Sequence, residues 1–166
     1  MPTPKAPIID GNVDEAWARA PIYKITNELK EVSSGEKLVP IKSPEDLSAD
    51  FRALWDEKNL YLLVNVTDDK LVSDTDPDHP VKLPSGSTTI PWWWDDSVEV
   101  YLDADNAKAP QYGKHDAMFR FNWGPKPTMR VYNQNIETHI DGVEYAMVKT
   151  ERAIVWRPAS RGTPLL

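Results

Sequence analysis

The sequence predicts an all-β fold: an antiparallel β-sandwich (jelly-roll-like) with one short N-terminal helix, in a single domain of residues 1–166. Two observations point there. Apolar and polar residues alternate with period two on both sides of a polar turn between Phe51 and Val66, the pattern of two half-buried antiparallel strands. The same alternation returns in later segments that contain Val98, Phe119, Thr128 and Glu144. A chain of 166 residues is long enough to bury about 70% of the surface that its unfolded form exposes.

From the N-terminus, Ile8-Ile9-Asp10-Gly11 is an extended piece that ends in a turn. Asn12 with Glu15 three residues on makes a capping-box-like start for a short helix through Trp17, and Pro21 stops it. Tyr23 to Leu29 is expected as a strand, and Ser33 to Leu47, rich in Ser, Pro and charge, as a loop. In the hairpin, Phe51, Ala53 and Trp55 alternate with Arg52 and Leu54. Asp56 to Asn59 forms the turn, and Leu60, Leu62, Val64 and Val66 resume the alternation. Residues 69–94 form a long connection with four prolines, a length that is uncommon without a function. Ser97 to Leu102 is the next strand, with Val98, Val100 and Leu102 on one face and Ser97, Glu99 and Tyr101 on the other. Phe119 and Phe121 alternate with Met118, Arg120 and Asn122, and Thr128 to Tyr132 and Glu144 to Lys149 continue the series.

Composition narrows the function. With 19 Lys and Arg against 26 Asp and Glu, the net charge is −7, so phosphate backbones and anionic headgroups are repelled. Nucleic acid and membrane are therefore not expected as partners. The absence of cysteine removes disulfide scaffolds, thiolate zinc sites and thiol catalysis together. No apolar run reaches the length of a membrane span. The Met-Pro start carries no basic, apolar leader, which fits a cytosolic chain or a domain taken from a longer secreted one.

Tryptophan is the unusual residue, 7 among 166. Trp17 and Trp55 sit in apolar-periodic contexts and are assigned to the core, while Trp123 and Trp156 receive no role. Trp92-Trp93-Trp94 differs. Three consecutive rings cannot share one strand face, and this triplet closes a long loop at the mouth of a strand. For any single tryptophan, core packing is the commoner role. An exposed ring there costs solubility unless something flat stacks on it, and a sugar ring does so with its apolar C–H face. Its hydroxyl rim then needs carboxylate, guanidinium or amide partners. Glu99, Arg120 and Asn122 lie on the non-core faces of their strands and supply all three. The plain alternative is an exposed Glu–Arg ion pair worth about 0–1 kcal/mol, and spacing alone divides the two evenly.

Other chemistries find little support. Asp74-x-Asp76-x-Asp78 opens like a calcium loop, but His79 and Ser85 stand where an EF-hand requires Gly and Glu. A solvated acidic loop is the simpler account, with non-EF calcium binding behind it. Asp95 and Asp96 point to opposite sides of an extended chain and make a poor glycosidase pair. His79, His115 and His139 lack metal spacing. The sequon Asn65-Val66-Thr67 falls inside a strand.

Four motifs in order resemble the family 9 carbohydrate-binding modules, the sugar-binding appendages of xylanases and related glycoside hydrolases. They are Ile9-Asp10-Gly11-x-x-Asp14-Glu15-x-Trp17; Ala53-Leu54-Trp55-Asp56-Glu57-x-x-Leu60-Tyr61 running to Asp68; Trp93-x-x-Asp96-Ser97-Val98-Glu99; and Phe119-Arg120-x-Asn122. The resemblance implies a β-sandwich that binds reducing ends of cellulose- or xylan-type chains, carries out no catalysis, and works outside the cell as part of a secreted enzyme. It implies that Trp93 is one of two aromatic rings around a sugar and that Glu99 and Arg120 bond its hydroxyls. Asn122 is added from strand geometry. The resemblance also implies structural calcium, with no ligands assigned, and no organic cofactor. The family's second ring lies in its last strands, but here the sequence departs from Ile154 onward. Residues 153–166 are therefore expected as an atypical or truncated tail. That leaves a sheet edge open to a second copy, and Trp92, Trp94 or a partner chain to supply the second wall. Two alternatives remain: a structural spacer with an incomplete sugar site, and a haem-binding relative of the same sandwich. Met118 and His115, the haem-type pair, fall on opposite strand faces.

Overall fold

The computed structural model describes residues 1–29, 38–73, 78–83, 85–124, 128–133, 136–150 and 154–160, with backbone alone for Trp92 and for 154–160. Its strands are β1 (Tyr23–Ile25), β2 (Leu47–Trp55), β3 (Leu60–Asp68), β4 (Val81–Lys82), β5 (Thr88–Thr89) and β6 (Ser97–Asp103). They continue with β7 (Asp116–Asn122), β8 (Thr128–Asn133), β9 (Ile136–Thr138), β10 (Val143–Lys149) and β11 (Ile154–Ser160). Every strand pair is antiparallel, and the helical content among the described residues is two 3-10 turns. The all-β antiparallel class is as the alternation predicts. No helix of the described residues is long and apolar enough to cross a membrane.

The described residues divide into two compact units, Met1–Lys70 with 141–160, and Leu71–Ile140. In the first unit the strand order is β1-β2-β3-β11-β10. The β2–β3 hairpin pairs without a break from Leu47↔Asp68 to Trp55↔Leu60. Its turn is held by Asp56, whose carboxylate accepts the Lys58 and Asn59 amides at 2.8 Å and the Tyr61 hydroxyl at 2.6 Å. These bonds, the Tyr61 hydroxyl foremost, hold the Asp56 carboxyl at about 2. Strand β11 runs between β3 and β10, so the described edges of this sheet are β1 and β10. Its pairing with β3 skips Arg157 and Pro158, and proline has no N–H to give to a ladder.

The core of this unit is Trp17, Ala20, Leu54, Tyr61 and Leu63, with Met1, Ile9 and Ala16 packed against it. Trp17 is fully buried, as expected, but Trp55 is not: it is 47% exposed. Period two puts Leu54 opposite Tyr61 on the buried face and therefore turns its neighbour Trp55 to the other face, at the last position of β2. The expected helix is a single 3-10 turn, Glu15–Trp17, and its cap is Asp14 rather than Asn12. One Asp14 oxygen accepts the Ala16 amide at 2.9 Å and the other accepts the Ile8 amide at 2.8 Å. The Asn12 backbone instead donates to Asp10. Strand β1 covers three of the seven residues expected of it.

The second unit holds the sheet β6-β7-β8-β9 and the small ribbon β4-β5. That ribbon lies inside the long 69–94 connection, closed by a turn at Ser85–Ser87 in which Gly86 has φ +88°. Asp74 and Asp76 of the calcium-like run lie outside the described residues. On the main sheet, Phe119, Phe121 and Val131 are buried beside Ala117, and the two phenylalanine rings stack at 6.5 Å. The opposite face carries Glu99, Tyr101, Arg120, Arg130 and Glu137. The register thus sorts apolar from polar residues as the sequence predicts.

Candidate functional site

The polar face is built by register. Glu99 on β6 lies directly across from Arg120 on β7, and Arg120 across from Arg130 on β8. Two guanidinium groups side by side repel, and each is matched by a carboxylate on the outer strand beyond it. Arg120 donates from Nε to Glu99 Oε1 at 2.7 Å and also from Nη2. Arg130 Nη1 donates to both oxygens of Glu137, at 2.7 and 2.6 Å. The Glu99–Arg120 pair is the more enclosed, its side chains 26% and 19% exposed, whereas Glu137 is 52% exposed. The other Glu99 oxygen accepts the Tyr101 hydroxyl at 2.6 Å. That bond, then burial and the Glu99 charge, push the Tyr101 phenol up to about 12. Tyr112 leans on the Tyr101 ring, centroids 6.4 Å apart; burial and nearby Glu99 and Asp116 raise its phenol as well.

At the start of β6 the three tryptophans form a 3-10 turn, not a strand. Its closing bond runs from the Trp94 amide to the Pro91 carbonyl at 2.9 Å, and Pro91 is fully buried. A 3-10 turn directs successive side chains apart, so Trp93 and Trp94 do not share one face. Trp93 and Trp94 are 51% and 52% exposed. The next residues anchor the turn. Asp95 is buried against Asn122, whose amide nitrogen is 3.4 Å from its carboxylate. Asp96 accepts the Val72 amide at 2.6 Å on its side chain and the Trp123 amide at 2.8 Å on its carbonyl.

The structure therefore brings Glu99 and Arg120 together and leaves Trp93 and Trp94 exposed at the entry to the same strand. Asn122, expected on the exposed polar surface, is 1% exposed. Asn122 shares the face of Arg120 by register, but the Asp95–Asp96 segment, which bonds to it and to Trp123, covers it. Tyr101 was legible as a neighbour of Glu99 on that face. Arg130 was visible as an alternating position of its strand. Glu137 sits in a three-residue strand and Tyr112 in an aperiodic loop, so neither had a sequence signal.

Oxygen donors converge at the far end of β6. Carboxylate oxygens of Asp103, Asp105 and Asp116 lie within 4.8 Å of one another. Asp116 Oδ2 accepts the Gly113 amide at 2.5 Å, while its Oδ1 is buried with no partner among the described residues. Backbone amides, that of Lys108 first, hold the Asp103 carboxyl below the usual range. An all-oxygen set suits a hard cation such as calcium.

The profile of the family described as "Carbohydrate family 9 binding domain-like" matches residues 9–160. An endo-1,4-beta-xylanase A of Thermotoga maritima is 30% identical over 154 residues, 91% of this chain and 12% of the xylanase. Another, from Thermotoga neapolitana, is 35% identical over 118 residues, 70% of this chain and 9% of that protein. The chain thus spans a small part of the length of these relatives. A solved family 9 carbohydrate-binding module from Caldicellulosiruptor kristjanssonii, in complex with cellotriose, is similar in fold with a TM-score of 0.62 and 20% identity, covering 95% of this chain and 64% of that one. These matches define an antiparallel β-sandwich of the carbohydrate-binding, non-catalytic class. The chain belongs to the family 9 carbohydrate-binding modules.

Proposed function

We propose that this module binds the reducing ends of cellulose- or xylan-type β-glycan chains through Trp93, Trp94, Glu99 and Arg120, as an appendage of a secreted glycoside hydrolase. The observation that carries it is the Glu99–Arg120 fork on β6 and β7, on a strand entered through two half-exposed indoles. A pyranose ring has an apolar face that stacks on indole and a rim of vicinal hydroxyls. A carboxylate accepts from one hydroxyl and a guanidinium donates to the next. Glu99 is already bonded to Arg120 and Tyr101, so the fork is held in place before the sugar arrives, which lowers the entropy cost of binding. Glu99 Oε2, which accepts only from Tyr101, retains a second lone pair for a hydroxyl. Trp93 serves as the first stacking ring and Trp94 as the second wall; Asn122, buried at the end of the same face, holds Asp95 next to the tryptophan turn. One stacking contact and a few hydrogen bonds give micromolar to millimolar affinity, roughly −4 to −8 kcal/mol.

Asp103, Asp105 and Asp116 are the residues we assign to the structural calcium, which would bind the β6 end to the start of β7. Residues 1–166 act as one module in this account.

Tryptophan fluorescence tests it. Cellobiose or xylobiose quenches the emission, reduction of the sugar end to an alditol weakens the effect, and Trp93→Ala abolishes it. Unchanged binding by Trp93→Ala overturns the site. No response of the unaltered protein to any glycan leaves a structural spacer. Calcium raises the unfolding temperature and chelator lowers it, with Asp116→Asn insensitive to both.

A further inference from the structure

We infer that Tyr101 and Tyr112 form a second stacking platform, so that a β-linked glycan longer than a disaccharide lies lengthwise along β6. The inference rests on the sugar-binding role proposed above for the same face, and deepens it. Three kinds of group follow one another along this strand. Half-exposed indoles of Trp93 and Trp94 lead into Ser97. Glu99, tied to Arg120, comes next. Tyr101 stands two residues farther on the same face, about 7 Å along the strand.

Tyr101 is 59% exposed and Tyr112 38%. Two neighbouring aromatic rings partly open to water on the polar side of the sheet offer an apolar surface on which a sugar ring can stack. If Tyr101 served only to orient Glu99, its hydroxyl would suffice. Tyr112 adds ring surface instead: its centroid is 6.4 Å from that of Tyr101, and the planes meet at 47°. The short bond from the Tyr101 hydroxyl to Glu99 Oε2, 2.6 Å, fixes the ring, and a fixed ring loses little freedom when a sugar covers it. The ligand class follows from charge as well as shape. Glu99 and Arg120 offset each other, as do Arg130 and Glu137. These pairs cancel, while Asp103, Asp105 and Asp116 beyond Tyr101 add negative charge, so the face suits an uncharged polysaccharide rather than an anionic one.

Calorimetric titration of the whole chain with cellobiose, cellotriose, xylobiose and xylotriose reads the platform as a ratio. The trisaccharide binds about three- to tenfold more tightly than the disaccharide, the gain expected of one aromatic contact; the glucan and xylan pairs show which backbone is preferred. Tyr101→Ala and Tyr112→Ala bring the ratio to about one, while Tyr101→Phe, which keeps the ring and loses the hydroxyl, preserves it. A ratio of one in the unaltered protein, or a preserved ratio in Tyr101→Ala, overturns the platform and leaves the first sugar site standing. Failure to bind any of the four sugars overturns both. A readout on the unaltered protein covers the case in which an alanine variant does not fold: cellotriose, and not cellobiose, produces a tyrosine difference spectrum, and its absence overturns the platform.

Discussion

Gly11 offers a sharp test of how the N-terminal segment is fitted to its sheet. Its φ is +86°, and a Cβ added there would stand 1.7 Å from Val148 Cγ2 and 3.0 Å from Val148 Cβ. Gly11→Ala therefore meets two separate penalties. The left-handed backbone costs a residue with a Cβ about 1–2 kcal/mol. Overpacking against β10 costs about 1–3 kcal/mol more. Together they predict a loss of roughly 2–5 kcal/mol, a large part of the stability of a domain this size. Val148→Ala removes the clashing methyl at its own expense of about 1–2 kcal/mol. In the double variant the 1.7 Å clash is relieved, while the tight approach to the Cβ that alanine keeps and the backbone strain both stay. The two losses should then fall short of additive by about 1–3 kcal/mol. Urea unfolding midpoints of the four proteins, read at constant slope, measure this directly. A Gly11→Ala loss below about 0.5 kcal/mol, or strictly additive losses, would refute the close crossing of the Gly11 turn over β10.

Two further outcomes follow from burial and from charge. Trp17→Ala, at a fully buried site, should cost about 3–5 kcal/mol and Trp55→Ala, which is 47% exposed, about half as much; equal losses by chemical denaturation would contradict the assignment of Trp55 to the surface. The Tyr101 phenol, raised from 10.0 to about 12, favours its protonated form in the folded state, so its contribution to stability is present below pH 10 and is lost as pH rises through 12. An ultraviolet titration should show one phenol ionising near pH 12, absent in Tyr101→Phe and shifted downward in Glu99→Gln.

Much of this was legible because β-structure writes its faces into the sequence with period two. The Asp56–Asn59 turn, the two faces of β6, and the partnership of Glu99 with Arg120 all follow from that alternation. Alternation orders residues within a strand, but it does not say what covers each face. Trp55 was assigned to the core on its apolar neighbours, whereas the segment around Trp17 covers the Leu54 face instead. Asn122 continued the polar series of β7, yet the Asp95–Asp96 segment, distant in sequence, buries it. Strand β9 is too short to show a period, and β11 carries Pro158, which argues against an inner strand. The structure accommodates Pro158 by omitting two pairs with β3. The triplet stood out by its three adjacent indoles, but its 3-10 geometry did not, since Trp-Trp-Trp holds neither a cap nor a period.

The central claim is that a sugar sits on Trp93 with its hydroxyls on Glu99 and Arg120. A crystal structure of the module with cellobiose tests it most directly. The account predicts sugar density stacked on the Trp93 indole, with hydroxyl oxygens within hydrogen-bond distance of the Glu99 carboxylate and the Arg120 guanidinium. Sugar held instead against Trp55 and the neighbouring Pro2 and Pro4, which line a separate open groove with Asp56 and Lys58, would contradict it.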